Sequence, residues 1–498
     1  MQRRRGSVPL AFSGSIRLMH KQLLDRRTFL SQSQFGLAGI ALTSLLDTES
    51  LLAKGSVEFD PTEPFRARKP HFKARAKNVI VIFCAGAVSH VDFWEHKPEL
   101  IKQHGKPLPS NGRLISFQGE NGNLQKPLWD FVPRGECGKK ISKIVPHIGS
   151  CVDDICFLHA VHTKSSTHGP GENLMSTGFN REGYTGMGAW ISYGLGTENQ
   201  NLPAFVAIED PRGTPQSGPN NWTSGFLPAS FQGTAFSTTK PIRHLTSPDA
   251  ILGVNSQASL AMLKSLNQLH QKNFQTDTAL SARISSYELA AKLQLSIPDA
   301  TDVSLEPKHT LELYGADSKD QVKSDFAKNC ILARRLVEKG VRFVQLFNGA
   351  YASGGTINWD THNNMPGLVP GHADVLDQPV AGLIKDLKQR DLLKDTLIVC
   401  CTEFGRMPMF QVGNDGRDHN PEGFTIWLAG GGVKGGMSYG STDPFGYKAE
   451  TNRLSIHDVH ATILHLLGLD HTRLTYYHNG LQRRLTDVHG HVVKEIIS

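Results

Sequence analysis

The stretch LLKDTLIVCCTEFGRMPMFQVGNDGRDHN, residues 392–420, decides the predicted fold. Within it, residues 397–401 (LIVCC) are apolar and partly β-branched, and residues 381–393 have helical spacing. We therefore predict a helix that leads into a buried parallel strand. Four polar residues follow the end of this strand: Glu403, Arg406, Asp418 and His419. Because open α/β sheets bind ligands beyond the carboxyl ends of their strands, these residues form the first candidate site.

The composition is that of a folded, water-soluble chain long enough for one to three domains, with 498 residues, 39% hydrophobic and 20% charged. A net charge of +7 is small for this length, so we expect no nucleic-acid partner. The seven cysteines are odd in number and scattered, which does not make a disulfide framework. The 22 histidines are more informative, because imidazole is the commonest metal ligand and the usual acid or base near neutral pH.

The amino-terminal region resembles a twin-arginine export signal. Residues 25–46 read DRRTFLSQSQFGLAGIALTSLL, with Arg26 and Arg27 before a weakly hydrophobic stretch that is shorter than the roughly 20 residues of a spanning helix. We predict that residues 1–54 are signal and leader, that residues 55–77 are a linker, and that the protein works in the periplasm or outside the cell. A buried helix is the alternative for this stretch.

Apolar runs and helical patterns alternate along the rest of the chain. Strands are predicted at residues 78–83, 155–161, 202–208, 342–347, 397–401 and 424–428. Helices are predicted at residues 141–151, 326–339, 381–393 and 456–467. Further helical spacing in residues 255–295 predicts a helical insertion at about 255–310 in a domain of residues 78–495. This alternation predicts an α/β fold with a mainly parallel sheet.

Histidines and acidic residues cluster just after the predicted strands. The clusters are His90 with Asp92, His168, Asp360 with His362, and Glu403 followed by Asp418 and His419. Parallel strands would bring these clusters to one edge and form a site for one or two divalent metal ions. Mixed imidazole and carboxylate ligands favour Zn²⁺, Mn²⁺ or Fe²⁺, and carboxylates alone favour Mg²⁺ or Ca²⁺. Lys164 and Arg406 would neutralise a transferred anionic group.

Structural roles are the alternative for individual members of these clusters. Asp92 can cap a helix, Asp360 can form an Asx turn, and Glu403 can pair with Arg406. A serine nucleophile is less well supported, since Ser89 lacks the G-x-S-x-G pattern, and the GPG of residues 169–171 is not a phosphate-binding Walker loop.

Several motifs resemble the alkaline phosphatase and sulfatase superfamily, and more closely its domain-of-unknown-function family 1501. They are SHVDFWEHKPEL, HGPGENLMSTG, MGAWISYGLGTENQNLPAFV, SSYELAAKLQ, WDTHNN, TEFGRMP, GRDHNPEGFTIWLAGGGVKGG, YGSTD and LTDVHG, within about residues 70–495. The resemblance implies an alkaline-phosphatase-like α/β/α sandwich and, by analogy, hydrolysis of phosphate or sulfate esters.

The resemblance also implies roles for single residues. HGPGENLMSTG is similar to the superfamily pattern C-x-P-S-R-x-x-L-L-T-G, which puts His168 at the nucleophile position. Asp360 and His362 resemble its Asp/His segment, and His419 can stand for its later histidine. The chain departs from the superfamily at Phe404, which replaces a ligand histidine after Glu403. It also has Cys84 or Ala85 where the first strand should deliver an aspartate, and His90 with Asp92 would compensate for that loss.

The sequence therefore predicts an exported metal-binding hydrolase that acts on phosphate or sulfate esters. The predicted metal ligands are His90, Asp92, Asp360, His362, Glu403, Asp418 and His419, with His168 as the predicted reacting centre. The predicted partner is an anionic ester or a sulfated or phosphorylated polysaccharide. The alternatives are a non-catalytic binding protein on the same scaffold, or an interaction protein that uses the helices of residues 255–295.

Overall fold

The computed structural model describes residues 57, 63–109, 117, 120–238, 302–413 and 415–498, with isolated helical positions between 261 and 284. The predicted leader, residues 1–54, and most of the predicted insertion, about residues 255–310, lie outside the described residues. The described residues belong to one compact unit, Ser56–Ser498. Among them, no helix combines the length and the apolar character needed to cross a bilayer.

A nine-stranded sheet forms the centre of this unit. Its strands are β1 (Asn78–Cys84), β2 (Ile155–His162), β3 (Phe205–Ile208), β4 (Thr234–Phe236), β5 (Phe343–Asn348), β6 (Thr396–Cys401), β7 (Phe424–Gly430), β8 (Met437–Tyr439) and β9 (Leu454–Ser455). The spatial order is β8-β2-β7-β6-β1-β5-β3-β4, and β9 also pairs with β2. Only β7 runs antiparallel to its neighbours among these described strands. The prediction of a mainly parallel sheet is therefore confirmed.

Helices cover both faces of the sheet. In chain order they are α1 (His90–Phe93), α2 (Pro98–Lys102), α3 (Pro146–Gly149), α4 (His168–Thr177), α5 (Met187–Leu195), α6 (Lys308–Tyr314), α7 (Gln321–Glu338), α8 (Met365–Gln389) and α9 (Ile456–Leu466). Alternate residues of β1 point to opposite layers, since Ile80 and Ile82 pack with α7 and α8, whereas Val81 and Phe83 pack with α4, α5 and α9. The predicted α/β/α sandwich is thus observed.

Short two-stranded ribbons lie outside the central sheet. They pair Asn121–Leu124 with Met409–Gln411, Phe131–Arg134 with Lys139–Ser142, Gly405–Arg406 with His419–Asn420, Ser441–Thr442 with Ala449–Thr451, and Tyr476–His478 with Leu481–Arg483. The third ribbon matters for function, because it sets Arg406 directly opposite His419. It thereby folds the chain that follows β6 back onto the carboxyl end of the sheet.

One helix prediction is wrong. Residues 141–151 were expected to form one helix, but Lys139–Ser142 is a strand and only Pro146–Gly149 is helical. Proline has no backbone N–H and fits the first turn of a helix, not its interior. Pro146 therefore starts a short helix where the periodicity alone predicted a continuous one.

Candidate metal centre

The ends of β1 and β6 are joined by a hydrogen bond from Gly86 N to Glu403 Oε1, at 2.7 Å. Gly86 has a φ of +105°, and a Cβ at this position would lie 2.6 Å from the backbone nitrogens of Trp359 and Asp360. Glycine is therefore required for the segment that follows β5 to pack against the end of β1. This close approach brings the ends of three strands, β1, β5 and β6, to one place.

His168 is the first residue of α4 and lies between two carboxylates. Its Nδ1 is 2.6 Å from Glu403 Oε1, and its Nε2 is 3.1 Å from Asp360 Oδ1. The Nε2 atom is buried and has no aligned hydrogen-bond partner in the part of the chain that the structure describes. Although burial lowers the pKa of His168, its interactions with the carboxylates of Asp360 and Glu403 outweigh this and raise it to about 9. The His168 imidazole is thus more basic than usual, and its Nε2 can bind either a proton or a metal cation.

Asp360 Oδ1 is the centre of the cluster. Besides His168, it lies 3.0 Å from His362 Nε2, 3.2 Å from His419 Nε2 and 2.7 Å from Arg406 Nη2. Burial favours the neutral form of Asp360, but the charge of Arg406 and the neighbouring histidines hold its pKa well below the usual range. Asp360 is therefore a carboxylate with imidazole nitrogens on several sides.

The outer nitrogens of two histidines are fixed by oxygen acceptors. His419 Nδ1 is 2.7 Å from the Ser166 carbonyl, and His362 Nδ1 is 2.8 Å from Gln411 Oε1. A carbonyl oxygen only accepts, so His419 Nδ1 donates. Burial lowers the pKa of His419 to about 3, although the adjacent Asp360 carboxylate acts in the opposite direction. The ring is therefore neutral, with its proton on Nδ1 and a lone pair on Nε2.

These contacts fit a bound cation. His362 Nε2 and His419 Nε2 are 3.0 Å apart, and both face Asp360 Oδ1. A neutral His419 cannot donate from Nε2 when Nδ1 already carries the proton, so its lone pair faces a carboxylate oxygen. The lone pair and the carboxylate oxygen repel each other unless a cation lies between them. A divalent cation could be coordinated by His168 Nε2, His362 Nε2, His419 Nε2 and Asp360 Oδ1. Such a donor set is typical of Zn²⁺, Mn²⁺ or Fe²⁺.

Arg406 adds a fixed positive charge to the cluster. Its side chain is fully buried and donates to the carbonyl oxygens of Ala87 and Arg417 at 3.0 and 3.1 Å, to that of Gly86, and to Asp360. The guanidinium therefore holds the turn after β1 against Asp360. It offsets part of the negative charge that Asp360 and Glu403 bring to the site.

Three predicted ligands make other contacts. Asp92 is fully buried and binds Arg417 Nε at 2.8 Å, together with Ser89 Oγ and Leu128 N. The Nε2 of His90 lies 2.8 Å from the Gly446 carbonyl. Asp418 accepts from His419 N at 2.8 Å and lies 3.9 Å from His362 Nδ1, one step outside the central oxygen.

The structure thus brings together Asp360, His362, His419, His168 and Glu403, all of which the sequence analysis named. Ligand atoms of His168, Asp360 and His419 all lie within 4.8 Å of one another, and so do those of His362, Asp418 and His419. His90 and Asp92 are not in either group. The loop after β1 turns into α1 and carries both side chains toward Gly446 and Arg417 instead.

Glu172 is a residue of this region that the sequence analysis missed. It lies one helical turn after His168 in α4, and it accepts hydrogen bonds from Ser217 N at 2.7 Å and Gln216 N at 3.2 Å. Burial, and then the charge of Glu403, raises the pKa of Glu172 to about 7. The signal was its i+4 spacing from His168, which places both side chains on one helix face.

A cavity of about 170 Å³ opens beside His168 and Asp360. Its lining includes the buried residues Gly86, Glu172 and Asn358 and the exposed residues Gln216, Tyr351 and Ser353, which we call its rim. Liquid water occupies about 30 Å³ per molecule, so the cavity is large enough to admit a small oxyanion. The cluster can therefore be reached by the head group of a larger ligand.

The chain was compared with protein families, with curated protein sequences and with solved structures. A family model described as "Protein of unknown function (DUF1501)" matches residues 76–497. No curated protein sequence matches the chain significantly.

Similar solved structures include the lipoteichoic acid synthase LtaP from Listeria monocytogenes, with 9% identity, a TM-score of 0.37, and coverage of 85% of this chain and 78% of that chain. The PsFucS1 sulfatase from Pseudoalteromonas sp. has 12% identity, a TM-score of 0.34 and coverage of 84% and 74%. A protein in the alkaline phosphatase superfamily from Vibrio parahaemolyticus has 9% identity, a TM-score of 0.34 and coverage of 85% and 75%. These likenesses concern the fold alone.

Proposed function

This chain belongs to the DUF1501 family of proteins of unknown function, and from that premise we propose that it is an exported, metal-dependent hydrolase of phosphate or sulfate esters. The observation that carries the proposal is the group of three imidazole Nε2 atoms around Asp360 Oδ1, at 3.0 to 3.2 Å. It lies beside a cavity at the carboxyl ends of β1, β5 and β6. The sequence motifs that resemble ester hydrolases coincide with this group.

A divalent cation held by these atoms would supply a Lewis acid for an ester oxygen and would acidify a bound water. The residues of the chain prepare the site for it. Glu403 orients the His168 ring through Nδ1, and Ser166 and Gln411 do the same for His419 and His362. Such second partners of ligand histidines fix the ring and raise its basicity.

The surroundings favour an anionic head group. Arg406 brings a buried positive charge to Asp360, and α4 begins at His168, so the partial positive charge of this helix N-terminus lies at the end of the helix that carries His168. We assign His168 to cation binding, because Glu403 holds Nδ1 and Nε2 points toward Asp360. The reaction would then proceed by direct attack of water, without a covalent histidine intermediate.

The proposed location is outside the cytoplasm. The twin-arginine stretch of residues 25–46 supports export, a route that carries proteins after they have folded. The site would thus be assembled before export, with its cation in place.

Metal-dependent turnover tests this function. The purified protein is stripped with a chelator, reconstituted separately with Zn²⁺, Mn²⁺, Fe²⁺, Mg²⁺ or Ca²⁺, and assayed on panels of phosphate and sulfate monoesters. We expect turnover to return with one of the first three ions and to be lost in His419→Ala. The control is His309→Ala, which removes an exposed histidine of α6. If no reconstituted sample hydrolyses any ester, or if His419→Ala is as active as His309→Ala, the hydrolase proposal is wrong.

A further inference from the structure

Tyr351 is an exposed aromatic residue at the rim of the cavity. Its exposed fraction is 63%, although most large aromatic side chains of the described residues are buried in the two cores. An exposed aromatic ring costs stability that burial would otherwise provide. A ring placed at the mouth of a functional cavity is therefore a candidate contact for a ligand.

The loop that carries Tyr351 is fixed in place. Asn358 Nδ2 donates to the carbonyls of Ala350 and Ala352 at 2.9 and 2.8 Å, and Asn358 Oδ1 accepts from Asp360 N at 3.0 Å. One buried amide thus connects the loop of Tyr351 to the backbone of Asp360. The backbone on either side of Tyr351 is therefore fixed relative to Asp360.

The opposite wall of the rim is fixed by Glu172. This buried carboxylate accepts from the backbone nitrogens of Gln216 and Ser217, which leaves the exposed side chain of Gln216 at the rim. The two walls are also joined to each other, because Tyr351 N donates to the Thr214 carbonyl at 2.8 Å. The rim is thus a preorganised surface, which lowers the entropic cost of binding.

The chemistry of the rim matches an uncharged, hydroxyl-bearing ring. Tyr351 offers an aromatic face for a C–H surface, and Gln216 and Ser353 offer donors and acceptors for hydroxyl groups. Among the described residues, none of those that line this cavity is a lysine or arginine, so the rim that they form is not suited to a second anionic group. The same cavity is lined by buried Glu172 and Asp360 at one part and by exposed Gln216, Tyr351 and Ser353 at another, so an ester whose anion lies beside Asp360 would place the rest of the molecule against the exposed residues.

We infer that Tyr351, Gln216 and Ser353 form a subsite for the sugar ring of a carbohydrate ester whose sulfate or phosphate group enters the cavity. The inference rests on the proposed hydrolase function for its kinetic test, but binding tests it separately. Tyr351 acts here as a specificity residue, through contact with the ring that bears the ester.

The kinetic test compares hexose sulfates and hexose phosphates with ethyl sulfate and ethyl phosphate, which carry the same anions on a short alkyl group. The variants are Tyr351→Ala, Tyr351→Phe, and Tyr477→Ala as a control that removes another exposed tyrosine. We expect Tyr351→Ala to lose roughly three- to tenfold in kcat/KM for the hexose esters, mainly through KM. Ethyl esters should be unaffected, and Tyr351→Phe should behave like the wild type because it keeps the ring face. Equal losses on both ester classes would overturn the inference.

Calorimetric binding of the same hexose esters separates this inference from the hydrolase proposal. If no ester is hydrolysed but hexose sulfates or phosphates bind in a Tyr351-dependent way, the sugar subsite stands and the hydrolase function fails. If hexose esters bind no more tightly than ethyl esters, the subsite is refuted. Tighter binding of nucleoside monophosphates than of hexose phosphates would also refute it, since the ring face would then serve a nucleobase.

Discussion

Replacing Asp92 by alanine separates a metal-ligand role for this residue from a structural one. Asp92 and Arg417 are both fully buried, with Arg417 Nε 2.8 Å from Asp92 Oδ2 and Nη2 3.2 Å from Oδ1. The same carboxylate also accepts from Leu128 N at 2.8 Å. Asp92→Ala would leave a buried guanidinium without its counter-charge, and it would leave the amide of Leu128 without its acceptor. We therefore expect a large loss of stability and no loss of bound metal.

The size of the loss follows from the burial of the pair. Removing one partner of a buried ion pair costs about 3–5 kcal/mol, because the other charge remains desolvated. Unfolding entropy is about 2.1 cal/mol/K per residue, so a unit of about 440 residues, Ser56–Ser498, has roughly 0.9 kcal/mol/K. The expected fall in Tm is then roughly 3–5 °C.

Scanning calorimetry and elemental analysis of the folded fraction measure the two effects together. Asp92→Asn should fall between the wild type and Asp92→Ala, since the amide oxygen keeps one acceptor but loses the charge. Asp130→Ala is the surface control, because Asp130 pairs with Lys143 where both side chains are exposed, and such pairs contribute about 0–1 kcal/mol. A folded Asp92→Ala protein that has lost its metal, or one with an unchanged Tm, would refute this account of Asp92.

Three further predictions concern other positions. Glu403→Gln should weaken metal affinity by about 10- to 100-fold in competition with a fluorescent chelator, since it weakens the orientation of His168; unchanged affinity would show that Glu403 has no such role. Asp458 forms a capping box with Ser455 at the start of α9. Although burial raises the pKa of Asp458, its hydrogen bonds lower it below the ordinary value, so its stabilisation is present at neutral pH and is lost as the pH falls below about 3.8. Urea unfolding should show Asp458→Ala less stable by about 0.5–2 kcal/mol at pH 7, with the difference shrinking at pH 3; a pH-independent difference would contradict the titration. Gly86→Ala should lower Tm and metal content together, because its Cβ would lie 2.6 Å from the backbone after β5, and a variant with normal metal content would contradict the required close approach.

The central strand and its polar end could be predicted from the sequence because the pattern was local. The apolar run of residues 397–401 matches β6, Thr396–Cys401, and the rule for strand ends then placed Glu403 at the site. Asp360 and His362 were found in the same way after β5. Where a strand leads directly to a polar segment, the order of residues in the sequence is enough to predict that the polar side chains lie at the end of that strand.

His90 and Asp92 show where that reasoning stops. They also follow a strand, but the chain turns at Gly86 and Ala87, both with positive φ, and then enters α1. The direction of the side chains after such a turn depends on Arg417, which is more than 300 residues away in the sequence. A buried partner that distant leaves no local pattern.

Glu172 was missed for a different reason. A single glutamate in a helix is usually exposed, and nothing in the sequence shows that the loop of Gln216 and Ser217 covers it. Glu172 holds the loop through the backbone N–H groups of Gln216 and Ser217. Backbone N–H groups occur at nearly every position, so the sequence does not mark these two. Only tertiary structure shows that they point at this carboxylate.

The most direct measurement of the central claim is the position of a bound metal in crystals of the protein, located by anomalous X-ray diffraction at the absorption edge of the ion. We expect one cation within coordination distance of His168 Nε2, His362 Nε2, His419 Nε2 and Asp360 Oδ1, at about 2.0–2.2 Å for zinc. A metal found elsewhere, or a cluster that stays metal-free when crystals are soaked in Zn²⁺, Mn²⁺ and Fe²⁺, would contradict the claim.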